Sequence, residues 1–170
     1  MKYMLNGGYR TQLLMRLTLG CSIVFLTGLW ITNWLLHVRL LGLSPDLVVR
    51  HYLGSEQEFL PPRTVGSMLE VTHAHFAVMA VVLLLVTHLA IFLPWSLRLR
   101  VTLVLATFGS ALLQEASGWL VRFVHPGFAW VKVFSFLGLQ ASMLVLLAGL
   151  AWHLAVRPAP TRDMPGSDTR

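Results

Sequence analysis

Seven histidines are the only abundant strong metal ligands in this chain, so their types and spacing are the place to look for chemistry. Cys21 is the one cysteine, which rules out an internal disulfide framework and any cysteine-only zinc or iron–sulfur site. No C-x-x-C-H run occurs, so no haem is attached covalently in the c-type manner. His73 and His88 lie fifteen residues apart in one apolar stretch. As a helix, that spacing is about 22 Å along the axis and about 60° in direction. Both therefore face one side, one near each membrane surface. His75 differs from His88 by about 140° and is the fallback for His73.

Each of these needs an opposing ligand at its own depth. His153 is the candidate at one surface. His37, with His125 as an alternative, is the candidate at the other. The simplest assignment is two axial pairs, His37 with His73 and His88 with His153. Bis-histidine ligation of haem b inside a helical bundle needs imidazoles on different helices, facing each other at equal depth. Two haem irons held this way would form a transmembrane electron path. His51 reads as a surface residue.

Composition fixes the setting. The chain has 170 residues, 56% apolar and 12% charged, with a mean hydropathy of +0.70. Soluble domains carry about 25% charged residues, and disorder needs low hydrophobicity, so both classes are excluded. An all-α membrane protein is expected. The net charge of +6 and pI near 10.5 reflect Arg and Lys flanking spans rather than nucleic-acid binding.

Four spans follow, about 17–41, 68–93, 101–124 and 128–156, each ending at Gly or Pro signals. They form a single four-helix membrane domain over 1–156, with a disordered tail at 157–170. The first span is retained, because Arg16 interrupts any cleavable signal and no A-x-A site follows. Lys2, Arg10, Arg16, Arg98, Arg100, Arg157 and Arg162 mark the cytoplasmic side, which puts both termini inside. The 43–66 loop is then outside, in a bacterial inner membrane. Ser44-Pro45-Asp46 starts a short interfacial helix there, with a cap and Pro at the first helical position.

Two carboxylates stand within spans. Ser67 with Glu70 reads as a capping box, which is preferred over a di-iron use of Glu70 and His73. Glu115, beside Gln114, must be protonated, paired or set in a polar cavity. Arg122 and Gln140 are its candidate partners, and proton transfer from a quinol is its candidate role. Arg39, Arg50, Arg63 and Arg122 on one side, and Arg98, Arg100 and Arg157 on the other, can meet haem propionates.

Over about residues 14–156, the spans and histidines resemble the small di-haem cytochrome b subunits of bacterial respiratory complexes, such as those serving formate dehydrogenase and membrane-bound hydrogenase. The resemblance departs in one respect: there the last helix carries two haem histidines, whereas here the second span does. It implies two haem b groups and electron transfer between the quinone pool and a redox partner subunit, an extracytoplasmic cytochrome or oxidoreductase. Two other classes compete. One is a membrane metalloprotein with copper, zinc or non-haem iron among His37, His73, His75 and His125. The other is a cofactor-free assembly subunit.

Overall fold

A backbone that crosses hydrocarbon must satisfy its own polar groups, and helices do so within one segment. The computed structural model describes residues 13–156 and follows that rule. Five α-helices run in the order α1 (Leu13–Leu40), α2 (Pro45–Leu53), α3 (Val65–Ala90), α4 (Leu97–Phe123) and α5 (Ala129–Ala155). A single 3-10 turn, Pro126–Phe128, joins α4 to α5. The four long helices are apolar enough to cross a membrane. At about 1.5 Å per residue each exceeds the roughly 30 Å hydrocarbon core. Lys2, Arg10, Arg157, Arg162 and the tail at 157–170 lie outside the described residues.

Local chemistry sets the helix ends. Ser44 caps α2 by accepting from the Leu47 N–H, with Pro45 in the first turn. Gly54 closes it at φ 81°, a left-handed value that glycine adopts without steric cost. At α3 the expected cap moves. Thr64, not Ser67, is the N-cap and accepts from the Ser67 N–H at 3.2 Å. Ser67 instead donates its hydroxyl to the Thr64 carbonyl, and Glu70 is exposed. Thr64 follows the extended Pro61-Pro62 segment, so the first eligible hydroxyl nucleates the helix three residues early. The far end of α3 stops at Ala90 rather than Leu93, because Phe92 and Leu93 turn back onto the Leu89 and Ala90 carbonyls.

Packing is uneven. The α4–α5 hairpin is in contact along its length, and α5 also touches α1, α2 and α3. Gly138 lets α5 approach α4 closely, for a Cβ there would meet Ser110 Oγ at 2.8 Å. Close approach at small residues is how helices gain contact energy where lipid removes the hydrophobic drive. The larger apolar cluster joins Leu26, Leu83, Val86, Leu139 and Leu146 across the bundle. A smaller one holds α2 on the ends of α4 and α5 through the fully buried Val48, with Val121, Ala129 and Val133. By contrast, α1 leans mainly on α5, and α1 and α3 hardly touch. The seam between them holds the cavities that follow.

Candidate functional site

At the α2 end of the bundle, a cavity of about 290 Å³ collects polar side chains from every helix. From α1 comes His37, only 5% exposed. Its ring lies parallel on the buried Phe136, with centroids 3.5 Å apart and planes 5° apart. That stacking fixes the imidazole plane. Its Nε2 is buried and has no hydrogen-bond partner, and a buried polar atom left unpaired calls for a ligand or water.

His75 enters the same cavity from α3. Its Nδ1 is 2.8 Å from Oε1 of Glu115, which is 6% exposed. With the carboxylate as acceptor, Nδ1 is the donor in this contact. A histidine whose second nitrogen is held by a carboxylate is oriented as metal-ligating histidines are.

Lys132 of α5, 5% exposed, donates from Nζ to the Gln114 carbonyl at 2.5 Å and lies over the Tyr52 ring. Tyr52 reaches inward from α2 against Gly118, where a Cβ would meet its Oη at 2.7 Å. Burial, then the Glu115 charge, pushes its phenol up to about 12, with Arg63 opposing. The phenol thus stays protonated and able to donate. His51, half-buried, also lines the cavity. Its pKa falls below 6.5, through burial first and then repulsion by Arg63 and Lys132, against a raising contact with the Leu40 backbone.

The other expected residues are placed differently. On α3, about 100° per residue puts His75 within about 20° of the buried Met68, but His73 about 140° and His88 about 160° away. His73 and His88 do share a face; both are exposed and line neither this cavity nor the one at the opposite end. His88 sets its edge against Phe92 at 5.7 Å. Phe92 and His153 line the opposite cavity, about 300 Å³ and mostly apolar, with Leu14, Leu19, Leu89 and Leu150. His88 and His153 are therefore not brought into one cavity. His125 caps the 3-10 turn by accepting from the Gly127 N–H. Among the described residues no three His, Cys, Asp or Glu side chains converge as a metal ion would require. The four-histidine cluster of the metalloprotein alternative is not assembled.

Glu115 takes neither of its expected partners. Arg122 Nε donates to the Arg63 carbonyl at 2.9 Å. Gln140 accepts at its backbone from Trp30 Nε1, and both atoms of its side-chain amide are buried without a partner. Lys132, Tyr52, Gln114 and His51 line the cavity although the sequence gave none of them a role in the site. A lysine between Val131 and Val133 inside an apolar run was the available signal.

Comparison with known proteins agrees with the architecture. A family described as a transmembrane helical domain matches residues 42–161, and the chain belongs to it. No curated protein and no solved structure matches.

Proposed function

We propose that this transmembrane helical domain is an electron-transfer subunit that holds haem b in its α2-side cavity, with His37 and His75 as the axial pair. One observation carries the reading: two imidazoles on separate helices line one cavity, each oriented by a neighbour, and Nε2 of His37 is buried without a partner. That donor set suits a low-spin haem iron, which takes two neutral imidazoles. Bound there, the haem supplies one-electron chemistry. The chain supplies the rest. Phe136 holds the plane of His37, and Glu115 fixes the tautomer of His75 and raises its basicity.

Glu115 orients His75 in this reading, before any part in quinol proton transfer. The open seam between α1 and α3 gives a lipid-dissolved quinol access to the cavity edge. In this reading a redox partner docks at the α2 end, taken as the outer side on the bias of basic residues toward the other loops. A second haem between His88 and His153 needs His88 to turn past Phe92 into the opposite cavity.

The full chain, purified from membranes, should show the sharp reduced bands of low-spin b-type haem. His37→Ala and His75→Ala should each abolish the α2-side haem, and His73→Ala should retain it. Close to one haem per chain supports this cavity alone, and close to two supports the opposite cavity as well. A haem-free protein, or one holding stoichiometric copper or zinc, overturns the reading. So does a haem that survives both His37→Ala and His75→Ala.

A further inference from the structure

Glu70 and His73 have no place in either cavity, and the cap expected at Ser67 and Glu70 is made by Thr64 instead. Both side chains are exposed on α3, a helix that crosses the membrane, where an ionisable group facing lipid is costly. They belong to a longer pattern. Gly66, Glu70, His73, Ala77, Ala80 and Leu84 follow one another at alternating steps of four and three, and all six are exposed. At about 100° per residue they cover about 80° of the helix surface. Met68 and Val86, which α3 buries in its own bundle, lie about 160° from the centre of that strip. A 3.5-residue repeat is the seam along which two helices wrap left-handed around each other. Gly66, Ala77 and Ala80 let a second backbone come close, and a Cβ on Gly66 would meet nothing within 4 Å.

Symmetry identifies the occupant. Copies of one chain enter a membrane with one topology, so two that pair through α3 are related by a two-fold axis along the membrane normal. Each seam residue then meets its own mate at the same depth. Glu70 and His73 lie about 4.5 Å apart along the helix axis, and no third His, Cys, Asp or Glu joins them among the described residues. Two chains together offer two carboxylates and two imidazoles, a four-ligand set for a divalent ion. Without a cation, the same pairing would set two carboxylates against each other. We propose that α3 pairs with α3 of a second copy, and that Glu70 and His73 of both chains hold one divalent transition-metal ion between them. The site is incomplete in a single chain. It faces away from the α2-side cavity and does not rest on the haem reading.

The test uses the full chain in detergent, stripped with a chelator and dialysed against cobalt(II). The wild type should bind close to one cobalt per two chains, and sedimentation should show the dimer strengthened by the metal. Glu70→Gln and His73→Gln should each weaken cobalt binding by more than the roughly 10–100-fold that losing a ligand's hydrogen-bond partner costs, and His125→Gln should leave it unchanged. In a Cys21→Ser background, Ala77→Cys should cross-link two copies on oxidation. Val78→Cys, also exposed but about 100° away on the helix, should not. One cobalt per chain, or a dimer that binds no cobalt, overturns the proposal; both are read on the unmutated chain, so a variant that fails to fold does not shield it. Cobalt held as tightly by the Glu70→Gln and His73→Gln variants overturns it too, as does equal cross-linking at Ala77 and Val78.

Discussion

Replacing Gly118 by alanine tests whether Tyr52 is wedged against α4 as described. The new Cβ would lie 2.7 Å from Tyr52 Oη and 2.9 Å from its Cζ. Both are closer than van der Waals contact, so the phenol must shift while Val48 holds α2 in place. Overpacking of this kind costs about 1–3 kcal/mol. Alanine also favours the helix over glycine by about 0.5–1 kcal/mol. Gly109 supplies the control. It lies on the same helix, and a Cβ there meets nothing within 4 Å. Gly109→Ala should keep the propensity gain alone. The two variants should then differ by about 1–3 kcal/mol, with Gly118→Ala the weaker. Gly118→Ala combined with Tyr52→Phe should recover part of the loss, since Oη is removed and Cζ is not. Unfolding by SDS titration in mixed micelles measures all four proteins. If Gly118→Ala proves as stable as Gly109→Ala, the wedge does not exist and the cavity wall is wrongly placed.

Three further changes probe the site and its supports. Glu115→Gln keeps an acceptor for His75 but loses the charge, so haem should be retained at a raised midpoint potential, whereas Glu115→Leu should cost about 10–100-fold in haem affinity; an unchanged potential in the Gln variant would separate Glu115 from the haem. Because the folded-state pKa of His51 lies below 6.5, the unfolded chain binds its proton first as pH falls. Stability conferred through α2 is complete above 6.5 and declines below it, and His51→Gln should flatten the unfolding midpoint between pH 7.5 and 5; a slope equal to wild type would refute this. Thr64→Ala should cost about 0.5–2 kcal/mol as the loss of a true cap, with Ser67→Ala close to neutral in the same denaturation assay; the reverse order would restore Ser67 as the cap.

Span number, span position and the Ser44-Pro45 helix start were legible from composition, hydropathy and cap chemistry, and the structure has all three. Facing was not legible, and α3 shows why. It is apolar nearly all round, because lipid and bundle core present the same apolar environment. Hydropathy therefore gives no sense of inside. The fifteen-residue spacing correctly set His73 and His88 on one face, but nothing in it said which way that face turned. The structure puts His75, the fallback, in the cavity beside Glu115 and leaves His73 out of it. Glu115 was marked as consequential by the cost of a carboxylate in a span. Its partner was sought on its own helix and on α5, whereas a contact forty residues back in sequence needs the fold to be seen. His51 and Tyr52 were hidden for the same reason: the interfacial helix looked free, and burial of Val48 folds it inward.

The reliance of α1 on α5 bears on how the molecule is made. Gly20 of α1 sits close to Leu154 of α5, and α1 has little other support. A ribosome adding about 5–20 residues per second takes roughly 6–23 s to travel from the end of α1 to the end of α5. Throughout that interval α1 has lipid where its neighbour will be, while α3 and α4 emerge and begin to pair. The polypeptide thus closes on itself from both ends at once, and the helix that brings His37 is seated only when its most distant partner arrives. Cysteines at Gly20 and Leu154 would time that closure on stalled chains of increasing length. Biogenesis, rather than final stability, is then the stage at which a weakened α1–α5 contact would be felt first.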